Sequence, residues 1–267
     1  MPLDIKAKFA DIDSAYKSSG SSTTMNGLIV GPIRSGKTVV LSTAPKPIAI
    51  DSFDPGGTKS IRPQIETGGI YPTLYEEDDP KNPFAFYQWL LEFNKRYDEG
   101  FFDYINTYCI DSFTYFFQGA LFYEKGLAEA AGMKRHRGLP ALDDYRLVNL
   151  NVISIIQRIM SLPCNFFLTA HVAKEKDDMT GKYVSSIVAS PKVQETLPAT
   201  FDEVYIMQVD PKQPVANRYK FLTENDGMYE CGSRLATVEG KLDKYEPANL
   251  RAILKKVGLP FEDKEIT

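Results

Sequence analysis

The eight residues Gly31-Pro32-Ile33-Arg34-Ser35-Gly36-Lys37-Thr38 constrain this chain more than any other stretch. Two glycines with four residues between them, followed by a lysine and a hydroxyl side chain, form a loop whose backbone N–H groups close around a polyanion. Its flanks agree. Met25-Asn-Gly-Leu-Ile-Val30 reads as a short buried strand, and Val39-Val-Leu-Ser starts a helix. Strand, glycine-rich loop and helix in that order are what the pattern needs to hold phosphate.

The predicted nucleotide-binding set is therefore Gly31, Pro32, Ile33, Arg34, Ser35, Gly36, Lys37, Thr38 and Val39. Lys37 reaches the β- and γ-phosphates as a point charge, and the Thr38 hydroxyl ligates Mg²⁺. Arg34 has no role in the pattern. The Mg²⁺ shell needs a carboxylate from the end of a neighbouring strand, and Asp111 closes Ile105-Asn-Thr-Tyr-Cys-Ile-Asp111. An aspartate before Ser112 also suits a helix cap, so both readings stay open. Hydrolysis further needs a group that orients or deprotonates water. Asp51 and Asp54 follow the strand Lys46–Asp51, just ahead of Pro55-Gly56-Gly57, where short carboxylates also brace turns. His171 ends the strand Cys164–Ala170 on the same edge, within reach of a γ-phosphate, although a lone histidine is more often structural.

Composition narrows the rest. Over 267 residues, 31 Lys and Arg stand against 35 Asp and Glu, a net charge of -4, which excludes a globally basic nucleic-acid coat. Cys109, Cys164 and Cys231 are too scattered for a disulfide framework or paired zinc ligands, and His136 and His171 are the only histidines. No stretch approaches 18 apolar residues and no apolar run follows the first lysines, so a soluble cytoplasmic protein without a membrane partner is expected. The expected organisation is a flexible segment over residues 1–24 and one domain over 25–267. Strands alternating with helices predict a mostly parallel central sheet flanked by helices, an α/β fold. Arg218–Thr223 and Met228–Cys231, joined by an Asp-Gly turn, predict an antiparallel hairpin at one edge. Residues 58–82 read as irregular, with Glu76, Glu77, Asp78 and Asp79 on a solvated loop. Phe86, Trp89, Leu90, Phe93 and Tyr97 recur at helical spacing and read as core.

The order GPIRSGKT, IAIDSFDPGG, CIDS, FLTAH, FDEVYIM and YKFLT…YECGSR resembles the RecA-like branch of P-loop ATPases. More narrowly it is similar to phage-encoded ATP-binding proteins of the Sak-type single-strand annealing group. The resemblance covers roughly residues 25–260 and implies a RecA-like fold, ATP and Mg²⁺ as cofactors, and a homo-oligomer on single-stranded DNA. A single-strand-binding protein is a further implied partner. It also implies His171 as a sensor of nucleotide state, residues 172–190 as a DNA-responsive segment, and Arg234 as an arginine finger offered in trans. A surface salt bridge is the alternative for Arg234. One departure stands out: Phe53 occupies the position where RecA-like enzymes usually carry a catalytic glutamate.

For DNA phosphates the sequence offers Lys134, Arg135, His136 and Arg137 in one loop and Lys174, Lys176 and Lys182 in another, with Tyr183 as a stacking side chain. Glu175, Asp177 and Asp178 nearly cancel the second set. Two functions follow: an ATPase of phage DNA recombination or replication, or a nucleotide-gated assembly or DNA-packaging component with slow or no turnover. A small-molecule kinase is weaker, because no arginine-rich lid follows His171.

Overall fold

Alternate residues of the first strand enter two different hydrophobic layers, and this alternation organises the molecule. In β1 (Asn26–Gly31), Leu28 and Val30 join one layer and Ile29 the other, so helices must cover both faces of the sheet. The computed structural model describes residues 5–18, 23–75, 83–176, 183–235 and 241–265.

β1 is flanked by β5 (Asn165–Lys176) and β7 (Glu203–Val209); beyond β5 follow β4 (Thr107–Asp111), β2 (Ile48–Ser52) and β3 (Ile70–Leu74). These strands all run parallel. On the far side β8 (Tyr219–Leu222) pairs antiparallel with β7, and β10 (Tyr245–Pro247) antiparallel with β8. β6 (Tyr183–Ile187) folds back on β5, and β9 (Gly232–Ser233) pairs with β7. The first layer packs under α4 (Ala85–Asp98), α5 (Phe113–Ala130), α6 (Leu142–Met160) and α7 (Pro191–Thr200). The second packs under α2 (Lys37–Leu41) and α9 (Leu250–Val257), whose Leu250, Ile253, Leu254 and Val257 are all buried. This is the mostly parallel α/β arrangement expected, with helices on both faces and antiparallel strands at one edge. Among the described residues no helix is long and apolar enough to cross a membrane.

Four local expectations are corrected. Within the segment 1–24, α1 (Ile5–Ser18) is a helix; its apolar residues Ile5, Phe9 and Ile12 share one face at helical spacing but stay exposed. Residues 58–82 are not all irregular. A 3₁₀ turn at Gly57–Ile61, α3 (Arg62–Glu66) and β3 occupy much of the stretch, while the acidic cluster 76–79 lies outside the described residues. β3 escapes a sequence reading because Pro72 interrupts it, and an edge strand is where a sheet tolerates proline.

The predicted hairpin turns as expected at Asn225–Gly227, where the Asn225 and Asp226 side chains accept backbone N–H groups. Its second run then leaves β8. The Ser185 N–H donates to the Met228 carbonyl at 3.1 Å, and β10 takes the place beside β8. Fourth, the strand expected to stop at His171 runs on: β5 continues to Lys176 and pairs with β6 in a hairpin. Its tip, 177–182, lies outside the described residues, as do the side chains of Lys174, Lys176 and Tyr183. The aromatic series on α4 is core as read, with Phe86, Trp89 and Phe93 buried, although Tyr97 reaches the surface.

Candidate functional site

Four adjacent strands, in the order β1, β5, β4 and β2, bring their C-terminal ends to one edge, which is where open α/β sheets bind ligands. The glycine-rich loop leaves β1, His171 lies in β5 beside Gly31, Asp111 ends β4, and Asp54 follows β2.

The loop curls because two residues adopt left-handed backbone conformations, Arg34 at φ 62 and Gly36 at φ 88. Arg34, which the pattern leaves without a role, supplies this bend while its side chain stays exposed. Gly31 is needed for a different reason: a Cβ there would lie 2.6 Å from Ser35 Oγ and 2.7 Å from Met207 Cβ. Ile33 is 77 % exposed at the tip. Val39 is also exposed, on α2. Since α2 has only five residues, the loop amides rather than a long helix dipole supply the positive potential.

Lys37 is buried, and its ammonium donates to the carbonyls of Gly31 at 3.0 Å and Pro32 at 2.9 Å. Burial lowers its pKa, against the opposing pull of Asp111 and Asp54. The same ammonium lies 3.3 Å from His171 Nδ1. An ammonium has only donors, so Nδ1 accepts and the ring proton sits on Nε2. That nitrogen faces Asp54 Oδ2 at 3.5 Å, and the Ser112 hydroxyl donates to Asp54 Oδ1 at 2.8 Å. Burial works to raise the Asp54 pKa, but these donors and the Lys37 charge outweigh it and hold the carboxyl below the usual range. An open cleft of about 430 Å³, lined by Ile33, Asp54, Tyr115, His171 and Val188 among others, lies in front of the group.

Asp111 is fully buried, accepts from Thr38 Oγ1 at 2.6 Å and also accepts from Thr169 Oγ1. Desolvation raises its pKa despite these two donors. The Thr38–Asp111 pair is an all-oxygen donor set of the kind that suits Mg²⁺, which keeps most of its shell for water and phosphate. Ser35 Oγ is buried inside the loop with no hydrogen-bond partner, as expected of a group built to meet a ligand. The residues present thus fit a Mg²⁺–nucleotide complex. Among the described residues there is no cluster of His, Cys, Asp and Glu that would hold a metal without phosphate.

The two aspartates of β2 separate. Asp51 accepts from Trp89 Nε1 at 2.9 Å, Tyr108 OH at 2.6 Å and Arg96 Nη1 at 3.0 Å, inside the layer under α4. Its carboxylate cannot also reach the cleft, so the water-activating reading passes to Asp54 alone. Phe53 is core, stacked on Tyr75 with centroids 5.3 Å apart. Arg234 is far from the phosphate loop: it pairs with Asp202 at 3.1 Å and with the Ala199 carbonyl at 2.9 Å, at the end of the sheet where β7 begins. In the basic loop Lys134 and His136 are exposed, but Arg135 is committed to Asp144 at 2.5 Å and 2.8 Å. The Arg137 side chain lies outside the described residues.

Sequence reading missed Thr169, Ser112, Thr114 and Tyr219. Thr169 was within reach, because it lies two positions before His171 on one strand and so shares its face. Thr114 accepts the His171 N–H at 3.2 Å. Tyr219 would be 3.3 Å from a Cβ on Gly36. Both depend on strand register that a single sequence does not contain.

The sequence family described as AAA domain matches residues 23–235, most of the chain. The chain belongs to the AAA domain family. Family membership and the site together make this AAA domain a P-loop nucleotide-binding ATPase. Among solved structures it is similar to the flagellar accessory protein FlaH of Methanocaldococcus jannaschii, at 13% identity over 95% of this chain and 96% of that one, with a TM-score of 0.41. No curated protein matches this AAA domain.

Proposed function

We propose that this chain is a Mg²⁺-dependent ATPase that couples turnover to single-stranded DNA as a subunit of a homo-oligomer. The observation that carries the reading is the chain of contacts from Lys37 through His171 to Asp54 at the mouth of the cleft. Thr38 and Asp111 would hold Mg²⁺, which when bound neutralises charge across the β- and γ-phosphate oxygens. Lys37 gives up its carbonyl partners for phosphate oxygens. Asp54, kept ionised and oriented by Ser112 and His171, accepts the proton of the attacking water. Phosphate charge arriving at Lys37 and His171 alters the partners of a residue that roots the β5–β6 hairpin.

Support for DNA as the partner is the hairpin sequence, with Lys174, Lys176 and Lys182, together with the family resemblance. That resemblance also supplies the setting, recombination or replication of phage DNA. The core position of Phe53 favours a second reading, a nucleotide-gated assembly or DNA-packaging component without fast turnover.

ATP turnover measured with and without single-stranded DNA tests the proposal. Stimulation by DNA and salt-sensitive retention on it are expected. Turnover that ignores DNA, with no retention at low salt, removes the DNA claim. Bound ATP recovered intact from the purified protein favours the second reading.

A further inference from the structure

Ser52 is the last residue of β2, fully buried, and its hydroxyl has no hydrogen-bond partner. A buried orphan of this kind in a packed sheet asks for a ligand, an ion or a water. Its position says which. Ser52 is the register partner of Asp111 on the neighbouring strand, so the two side chains leave the sheet on the same face, the one that α2 covers.

The space above them is kept open by Gly57. A Cβ built on that glycine would lie 3.6 Å from Asp111 Oδ2, 3.7 Å from Ser52 Oγ and 3.0 Å from Asp54 Cβ. The Ser52 hydroxyl and the Asp111 carboxylate thus face one small cradle, roofed by a residue without a side chain. Asp111 Oδ2 is also the oxygen that Thr38 contacts.

We propose that Ser52 is a third protein group of the Mg²⁺ site, acting through a water of the metal's shell held between its hydroxyl and Asp111 under Gly57. The proposal rests on the reading of Thr38 and Asp111 as the metal-holding pair. Mg²⁺ binds with several waters retained, so hydroxyls that fix those waters orient the shell without touching the ion. Ser52 is in this sense a positioning residue. A water in the cradle has Ser52, Asp111 and the ion as partners, which is the number a buried water normally finds.

The test uses Mn²⁺ in place of Mg²⁺, with a non-hydrolysable ATP analogue and the full chain, and follows free Mn²⁺ by its electron spin resonance signal. Ser52→Ala is expected to weaken Mn²⁺ binding about tenfold, the low end for groups that support a metal's ligands. Without ligand its melting temperature should match or exceed that of the unaltered chain, because no hydrogen bond is lost. Gly57→Ala fills the cradle from the other side. Its backbone is not left-handed, so the variant should fold, and it should weaken Mn²⁺ by a similar factor.

If the unaltered chain shows no Mn²⁺-dependent nucleotide binding, the metal-site reading itself fails. If it binds and both variants bind Mn²⁺ with unaltered strength, that reading stands and the role of Ser52 is overturned. A Ser52→Ala chain that melts lower alone yet holds Mn²⁺ normally makes Ser52 a packing residue, which also overturns the proposal.

Discussion

Asp51 and Asp54 sit within three positions of each other at the end of β2, and their surroundings differ in solvent, partners and charge. Around Asp51 lies a closed knot: Trp89, Tyr108 and Arg96 donate to one buried carboxylate, and Arg96 also donates to Thr73 at 2.9 Å. Around Asp54 lies an open cluster, in which Ser112 and His171 hold a carboxylate that faces a cleft. Strand parity separates them. Asp51 alternates with Ala49 into the layer under α4, whereas Ser52, Asp111, Thr169 and His171 leave their strands on the α2 side. Asp54 lies past the strand and is free of that alternation. Similar chemistry thus serves the core in one place and the site in the other, and each variant below tests that division.

The largest effect is expected at Asp54. Asp54→Asn keeps the shape and removes the base, so kcat should fall by about 10²- to 10⁴-fold with KM for ATP nearly unchanged. The stability that its lowered pKa contributes is present at neutral pH and lost as pH falls through the folded value. The difference between the unfolding curves of the variant and the unaltered chain should therefore hold above about pH 4, the unfolded carboxylate pKa, and shrink as pH falls from there through the lower folded value. Unchanged turnover would return the choice of acid to the open.

Asp51→Asn should do the reverse. It leaves the Arg96 guanidinium facing a neutral partner in a largely buried site, and breaking a buried pair costs about 3–5 kcal/mol. Denaturant melts should show that loss, while the folded fraction binds ATP normally. A stable Asp51→Asn chain with impaired turnover would erase the division between the two regions.

Asp111 combines both characters, since it is buried like Asp51 and belongs to the site like Asp54. Burial raises its pKa, so without metal its ionisation opposes folding: stability from this group is full below about pH 4 and declines as pH rises through the folded value. Asp111→Asn should flatten that decline and stabilise the ligand-free chain by about 1–2 kcal/mol at neutral pH, roughly 2–8 °C in melting temperature for a chain of this size. The same variant should lose Mg²⁺-dependent nucleotide binding. A lower melting temperature for the variant would mean that the Thr38 and Thr169 hydrogen bonds outweigh desolvation.

What the sequence disclosed, and what it withheld, divides along the range of the interactions involved. The phosphate loop, Asp111 and His171 were legible because local pattern alone places them at one edge of the sheet: an apolar run, then a polar residue where that run stops, although β5 itself continues past His171. Choosing between Asp51 and Asp54 was not possible, because β2 is buried on both faces and shows no polar alternation to reveal its parity. Ser112, Thr114 and Ser52 acquire meaning only from contacts with β2, β4 and β5 set by register. The hairpin after β8 failed for a related reason. Its Asp-Gly turn is local and formed, but β10, some 20 residues on, pairs with β8 in place of the adjacent run.

The smallest effect on stability is expected at Arg234, at the opposite end of the sheet. Arg234 follows Ser233, which pairs with Glu203 at the start of β7; Glu203 pairs in turn with Gly27 at the start of β1. The phosphate loop begins only after Gly31, about 13 Å further along the strand at ~3.3 Å per residue. Arg234 therefore contributes nothing to its own chain's phosphate site. Its pairing with Asp202 is an exposed one, so Arg234→Ala should cost at most about 1 kcal/mol of stability. Its turnover then reads the assembly. An arginine supplied in trans requires one chain's strand-start end to sit on the next chain's strand-finish end, a head-to-tail contact that builds rings or filaments. In that arrangement Arg234→Ala and Lys37→Ala chains are each inactive alone and partly active when mixed, because the Lys37→Ala chain offers its arginine to the intact loop of the other. Unaltered turnover of Arg234→Ala chains leaves the residue as a rim ion pair and removes that geometry.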